Sequence, residues 1–329
     1  MKKAWLYLGL AYALSWVVLI PLIRAHASEE VLIAGICGPA FAAMLLSRSG
    51  ESQPERFRRA AWFLAVTLAG WLVLIFTTGW RDAGPHWPVP IKAWLILPAM
   101  LPAWVVSGVF SQDSGIRGLL CTLLKPANWR WPLIAALCMP AFLLVPAIVA
   151  HLFGLPIKWP AHQNSTWIYI AAGTVKFSYN VLFAGVLEEP GWRGFLLRRL
   201  QGKYSPLLSS ILVWLPWSLW HAPLDFGGWV ASSWILYVQI RVIFQVPLTI
   251  LCTWIYNRSG GSILAAVLFH AGFNTFPFIL PYAPAMYALI FVWAGYVIVK
   301  DRMWRPIPGK LNSCPEHFSS IPTPPRTTP

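Results

Sequence analysis

Apolar and polar positions in this chain alternate on the scale of whole segments rather than single residues. Ten apolar runs can be marked: Trp5 to Ile23, Val31 to Leu46, Ala60 to Gly79, Ala93 to Phe110, Pro132 to Phe153, Trp167 to Leu187, Leu207 to Trp220, Trp234 to Tyr256, Ile263 to Leu280 and Ala285 to Val299. A bilayer core of about 30 Å is crossed by roughly 20 helical residues rising 1.5 Å each, so each run is long enough or nearly so. Several are short or hold internal prolines, and the pattern predicts an all-α polytopic bundle of about 8–10 membrane helices.

Composition agrees. The chain is 57% hydrophobic, holds 21 tryptophans and is only 11% charged, which is the make-up of a membrane protein rather than a soluble domain. A formal net charge of +14 raises the question of nucleic acid, but the basic residues form no single face or arm. They sit in alternate loops, as membrane topology requires, so no nucleic-acid partner is expected and the bilayer is. With Lys2 and Lys3 inside, one side gathers residues from Arg48 and Arg56 to Lys203 and Arg258, and the tail adds Lys300 and Arg302. The other side holds Arg24, Arg81, Lys158 and, at a boundary, Lys92. That asymmetry predicts a multi-pass protein of the cell membrane with both termini in the cytoplasm.

The organisation that follows is N-terminal membrane helices over 1–157, a second membrane core over 158–300 and a tail over 301–329. The tail, rich in proline, serine and threonine from Pro306, is expected to be disordered. Lys2, Lys3, the first apolar run and Ala25-His26-Ala27 imitate a signal peptide, but the run is long for one and is read as the first membrane helix. Cys37, Cys121, Cys138, Cys252 and Cys314 show no CxxC or Cys/His spacing and are read as free. There is no internal repeat, phosphate-binding loop, GxGxxG or HExxH.

Against this apolar background one stretch stands out, VLEEPGWRGFLLRRLQ from Val186 to Gln201, with Glu188 and Glu189 adjacent. A carboxylate at membrane depth costs roughly 2.5–3.5 kcal/mol on insertion scales and usually faces a protein interior or wet cavity. Two together call for a function. Other apolar runs carry His221, in WSLWHAP, and His270 with Asn274, in VLFHAGFN. His270 and Asn274 are four apart and share a helix face, as do Trp217 and His221.

Depth follows from chain geometry. If Gly202 to Pro206 makes a helical hairpin, Glu188 and His221 each lie about 16 residues, roughly 24 Å, from its bend and face each other. His270 stands about 12 residues past the turn at Arg258 to Gly261. This needs the Glu188 helix to run on through Leu200, kinked at Pro190 and Gly191, where proline removes a donor and disfavours helical geometry at Glu189.

Such a set suits peptide hydrolysis. A shielded carboxylate next to another one is a general base able to deprotonate water near neutral pH. Arg193, four after Glu189, can pair with it and leave Glu188 as the base, with His221 orienting the water. His270 and Asn274 are donors for an oxyanion. The plainer readings stand beside this one. A buried His or Asn is more often an interhelical hydrogen bond, Glu189 with Arg193 can be structural pairing, and Trp217 reads as packing. Lys176 and Arg241, inside apolar runs, snorkel or pair without a role.

At these residues the chain resembles the CPBP family of intramembrane endopeptidases, which includes type II CAAX prenyl proteases and bacteriocin-immunity relatives. The family pattern is matched in order by Glu188, Glu189 and Arg193, then Trp217 and His221, then His270 and Asn274, over roughly Phe183 to Phe276. The resemblance implies a helical bundle with a buried polar cavity open to the cytoplasm. It implies that Glu188 with His221 activates water and His270 with Asn274 stabilises the oxyanion. Pro190 and Trp217 depart from it, since the family usually has a non-proline apolar residue and a phenylalanine there.

Three functions are expected in competition. The first is a metal-free glutamate endopeptidase acting on a peptide or lipidated protein, prenylated CAAX tails among them. The second is a zinc protease on the same fold, with Glu188, His221 and His270 as ligands. The third is a non-enzymatic transporter or immunity scaffold. No oligomeric state follows from the sequence.

Overall fold

The computed structural model describes residues 2–51, 55–79, 93–124, 126, 128–160, 166–227 and 233–306. Arg81, His86, Lys92, Lys125, His162, Cys314, His317 and nearly all of the expected disordered tail lie outside the described residues. In chain order the helices are α1 (Lys2–Arg24), α2 (Glu29–Ile36), α3 (Gly38–Ser47), α4 (Arg56–Gly79), α5 (Ile96–Ser107), α6 (Ser114–Leu124) and α7 (Arg130–Leu152). There follow α8 (Trp167–Gln201), α9 (Pro206–Trp220), α10 (Ala222–Phe226), α11 (Trp234–Arg258), α12 (Ile263–Thr275) and α13 (Ala285–Lys300). Extended backbone among the described residues pairs only at two isolated bridges, Glu51 with Asp113 and Lys158 with Tyr282.

Among the described residues seven spans are long and apolar enough to cross a membrane: α1, α2 with α3, α4, α7, α8, α9 with α10, and α11. This is a multi-pass membrane protein. Its outer surface shows why the apolar pattern is so continuous. Leu64, Leu68, Leu72 and Phe76 form an exposed stripe along α4 at four-residue spacing, a surface that water would not tolerate and lipid does.

One helix was not anticipated. The basic loop expected around Arg117 contains α6, whose Leu119, Leu120 and Leu123 are buried. Asp113 caps it, with Oδ1 accepting from the amides of Gly115 (2.9 Å) and Ile116 (3.0 Å). That capping side chain before an amphipathic run was the available signal.

The buried side chains form two apolar cores. One joins α1, α3, α5, α8 and α9 through residues such as Tyr7, Ala43, Val105, Leu187, Phe195 and Trp217. The other joins α7, α11, α12 and α13 through Met139, Leu251, Phe269, Ile290 and Val297. Phe273 packs against both, so α12 lies on the seam between them. The four described cysteines are free.

Helix α8 is the axis of this arrangement. It spans 35 residues, about 50 Å if fully α-helical at 1.5 Å each, well beyond a bilayer core. It stays helical through Pro190 (φ −56°, ψ −34°) and keeps Glu189 helical as well (φ −65°, ψ −32°). The strain expected there is absorbed by wide π-type turns, Val181–Gly185 before the glutamates and Pro190–Leu197 after them. A wide turn lets the ladder pass a residue without an N–H, and such turns concentrate at functional sites.

Two glycines on α8 set how near its neighbours come. A Cβ on Gly185 would stand 2.8 Å from Val267 Cγ1 and 3.0 Å from its carbonyl oxygen. Helices α8 and α12 therefore meet almost backbone to backbone, one turn from Glu189 and His270, as small residues allow in membranes. A Cβ on Gly191 would lie 2.5 Å from both the Pro39 carbonyl oxygen and Tyr7 Oη. Backbone cannot yield there, so Gly191→Ala is expected to destabilise the detergent-purified protein by about 1–3 kcal/mol. An unchanged thermal midpoint would refute that packing.

Candidate active site

Glu188, Glu189 and Arg193 are almost completely buried, on the α8 face turned toward α9 and α12. Glu189 is held by two partners at one oxygen. Arg193 Nη1 donates to Glu189 Oε1 at 2.9 Å, and His270 Nδ1–H donates to the same oxygen at 2.6 Å. Two charge-competent donors on one carboxylate oxygen make a tight, directional contact. Glu188 lives differently. Its Oε2 accepts one bond, from the indole Nε1–H of Trp217 at 2.7 Å.

Trp217 is the common neighbour of the whole set. The Arg193 guanidinium lies 4.3 Å from its ring centroid, a cation–π distance. His270 meets it at 5.4 Å and His221 at 5.8 Å, both edge to face. Reading Trp217 as a packing residue from sequence was therefore incomplete, because its ring packs while its N–H serves a carboxylate.

His221 stands where α9 ends. Its Nδ1 is 2.8 Å from the Trp217 carbonyl oxygen. A carbonyl can only accept, so Nδ1 carries the proton and Nε2 of the neutral ring is an acceptor. Glu188 and His221 do not hydrogen-bond directly. The residue that meets Glu188 is Trp217, one turn before His221, so the two arms of the hairpin hold unequal numbers of residues. The reason is the wide turn Pro190–Leu197, which spends more residues per turn than an α-helix and shortens that arm of the hairpin.

His270 is buried, its ring stacked on Phe273 at 4.7 Å and 10°. Asn274 is half-buried one turn further along α12. Its side chain has no hydrogen-bond partner among the described residues. Beside it lies a residue the sequence reading passed over. Asn180 Nδ2 donates to Thr275 Oγ1 at 2.9 Å and to the Asn274 carbonyl at 3.5 Å, tying α8 to α12. An amide two turns before Glu188 in an apolar run was the available signal.

Arg241, left without a role by the sequence, forms a bidentate pair with Asp225, both bonds at 2.8 Å. Its carbonyl accepts from Trp214 Nε1 (2.6 Å) and Ser218 Oγ (3.2 Å), because the wide turn Val238–Phe244 frees it. Asp225 is four residues past His221, so this clamp fixes the segment that carries the imidazole. Lys176 lies 4.9 Å over the ring of Phe278.

Residues 171–276, which contain Glu188, Glu189, Arg193, Trp217, His221, His270 and Asn274, match the family model described as type II CAAX prenyl endopeptidase Rce1-like. Over that stretch the chain is similar to the Rce1-like family. It is also 28% identical over 187 residues to CAAX prenyl protease 2 of Methanococcus maripaludis, across 54% of this chain and 68% of that relative. These two likenesses indicate an intramembrane protease rather than the non-enzymatic scaffold. Among the described residues no three His, Cys, Asp or Glu side chains are gathered where they could hold one metal ion.

Proposed function

We propose that this Rce1-like endopeptidase hydrolyses peptide bonds of membrane-associated substrates, prenylated CAAX-type tails among them, with Glu188 as general base. The observation that carries the reading is the unequal treatment of two adjacent carboxylates. Glu189 is bound by Arg193 and His270, while Glu188 has one neutral partner. Environments that differ in this way separate a structural carboxylate from a working one.

In the proposed reaction Glu188 takes a proton from water as the water oxygen attacks the scissile carbonyl carbon. His221, with Nε2 free to accept, orients that water. The carbonyl π electrons move to oxygen, and the oxyanion accepts hydrogen bonds from His270 and Asn274. A His270 ring that donates to Glu189 from Nδ1 offers Nε2–H to the oxyanion when doubly protonated. Collapse of the tetrahedral intermediate breaks the C–N bond, and Glu188 delivers its proton to the leaving amine. Arg193 and Glu189 position the set.

In this reading the water is activated by Glu188 and His221 without a metal ion. The termini are assigned to the cytoplasm of the cell membrane on the distribution of arginine and lysine, which would open the site to cytoplasmic tails. Purified protein in detergent is expected to cleave a fluorogenic farnesylated CAAX peptide at a rate unchanged by chelators. A rate abolished by chelation and restored by zinc would overturn the metal-free mechanism.

A further inference from the structure

The family match begins at residue 171, and a cavity lies wholly outside it, where α3, α4, α5 and α6 come together. It encloses about 350 Å³, within the range of small-molecule sites. Phe41, Met44 and Ile116 supply apolar lining. Its level in the bilayer follows from the spans that end there. Arg48 directly follows the span Glu29–Ser47, and Arg59 sits in the first turn of the span Arg56–Thr78. The cavity therefore lies where apolar helices give way to polar loops, the level of lipid headgroups. Leu45 and Trp104, 51% and 48% exposed, leave an apolar flank on its lining where an acyl chain can lie.

The loops around it are tied together. Ser114 N–H donates to the Gly50 carbonyl at 3.2 Å, and the Asp113 carboxylate accepts from the amides of Ser49 (3.1 Å), Gly115 (2.9 Å) and Ile116 (3.0 Å). Those amides take up the charge of Asp113. Arg48 comes no nearer to Asp113 than 3.8 Å and its side chain is 70% exposed, so the contact contributes little and leaves the guanidinium available. Glu51 and Arg59 line the same cavity, yet they form no ion pair with each other or with any other described residue. Arg59 lies over the Trp104 ring instead, at 5.6 Å.

The cavity thus holds opposite charges apart, two guanidinium groups and one carboxylate. A simple anion would meet Glu51 and a simple cation the arginines, whereas a ligand that carries a phosphate and an ammonium satisfies both. We propose that this cavity binds one phospholipid with an ethanolamine headgroup. Arg48 and Arg59 hold the phosphate, Glu51 accepts from the primary ammonium, and an acyl chain runs along Leu45 and Trp104. A choline headgroup presents the same phosphate but no N–H to the carboxylate. No residue is shared with the active site, so the assignment is independent of the proteolytic reading above.

Native mass spectrometry of the delipidated full chain reads the first lipid bound. Palmitoyl-oleoyl phosphatidylethanolamine is expected to bind about tenfold tighter than the matching phosphatidylcholine. Arg59→Gln should weaken the ethanolamine lipid about tenfold, and Glu51→Gln should bring the two lipids within about twofold of each other. If Arg59→Gln lowers the thermal midpoint of the lipid-free protein, Arg48→Gln, at an exposed position, replaces it. Equal binding of the two lipids by wild type overturns the assignment, as does a preference that survives Glu51→Gln. Tighter binding of the matching phosphatidylglycerol overturns it by making the cavity a plain anion site. Displacement of the lipid by equimolar glycerophosphoethanolamine would rule out a lipid occupant, because the acyl chains would then contribute nothing.

Discussion

Glu188→Gln should lower kcat for peptide cleavage by about 10²- to 10⁴-fold, the usual worth of a positioned general base. The substitution is nearly isosteric, and its carbonyl oxygen can still accept the Trp217 indole N–H that now reaches Glu188 Oε2 at 2.7 Å. Packing around Trp217, which touches Arg193, His221 and His270 through its ring, is therefore kept. What disappears is the ability to hold a proton taken from water. The thermal midpoint should stay near that of wild type, which separates lost chemistry from lost fold. A variant that retains wild-type turnover would remove Glu188 from the mechanism and leave His221 as the remaining base.

The second large effect is on stability. Arg193→Met is expected to cost about 3–5 kcal/mol, because removing one partner of a buried ion pair strands the other charge. Glu189 is completely buried and its Oε2 has no hydrogen-bond partner, so no solvent is at hand to take over from the guanidinium. Methionine fills most of the space and forfeits the stacking on Trp217. Adding Glu189→Gln to that background should restore part of the loss, since the stranded charge goes with it. Thermal unfolding of the two single variants and the double variant decides. If the double variant loses the sum of the two single losses, the pair is not coupled and the account of the site core is wrong.

The buried polar residues that meet around Trp217 were legible in the sequence because ionisable groups stand out against an apolar background. Helix periodicity then joined Glu189 to Arg193 and His270 to Asn274. Less legible was how the helices meet. The hairpin register was misjudged by one turn because wide turns change the rise per residue, and no residue type announces them beyond a proline such as Pro190. The clamp between Asp225 and Arg241 joins residues 16 apart across a bend, a relation that periodicity does not reveal. Trp217 was hidden by the opposite problem. In a chain this rich in aromatic residues, one more ring reads as core, and only three-dimensional placement shows that its polar edge faces a glutamate. The short helix α6 was missed because its one basic residue, Arg117, suited a loop and its capping Asp113 was given no weight.

The wide turn from Pro190 to Leu197 also governs what kinds of sequence change this helix can absorb. Each residue of an α-helix turns the chain by about 100°. Excising one residue between Glu189 and Arg193 would let the backbone relax toward a regular ladder. It would also swing Arg193, Trp192 and everything after them around the axis, away from the partners they now touch. Exchanging one apolar side chain for another on this stretch alters a contact, whereas altering its length alters the phase of the whole helix. Length, more than composition, is the inherited quantity that this part of the chain must conserve.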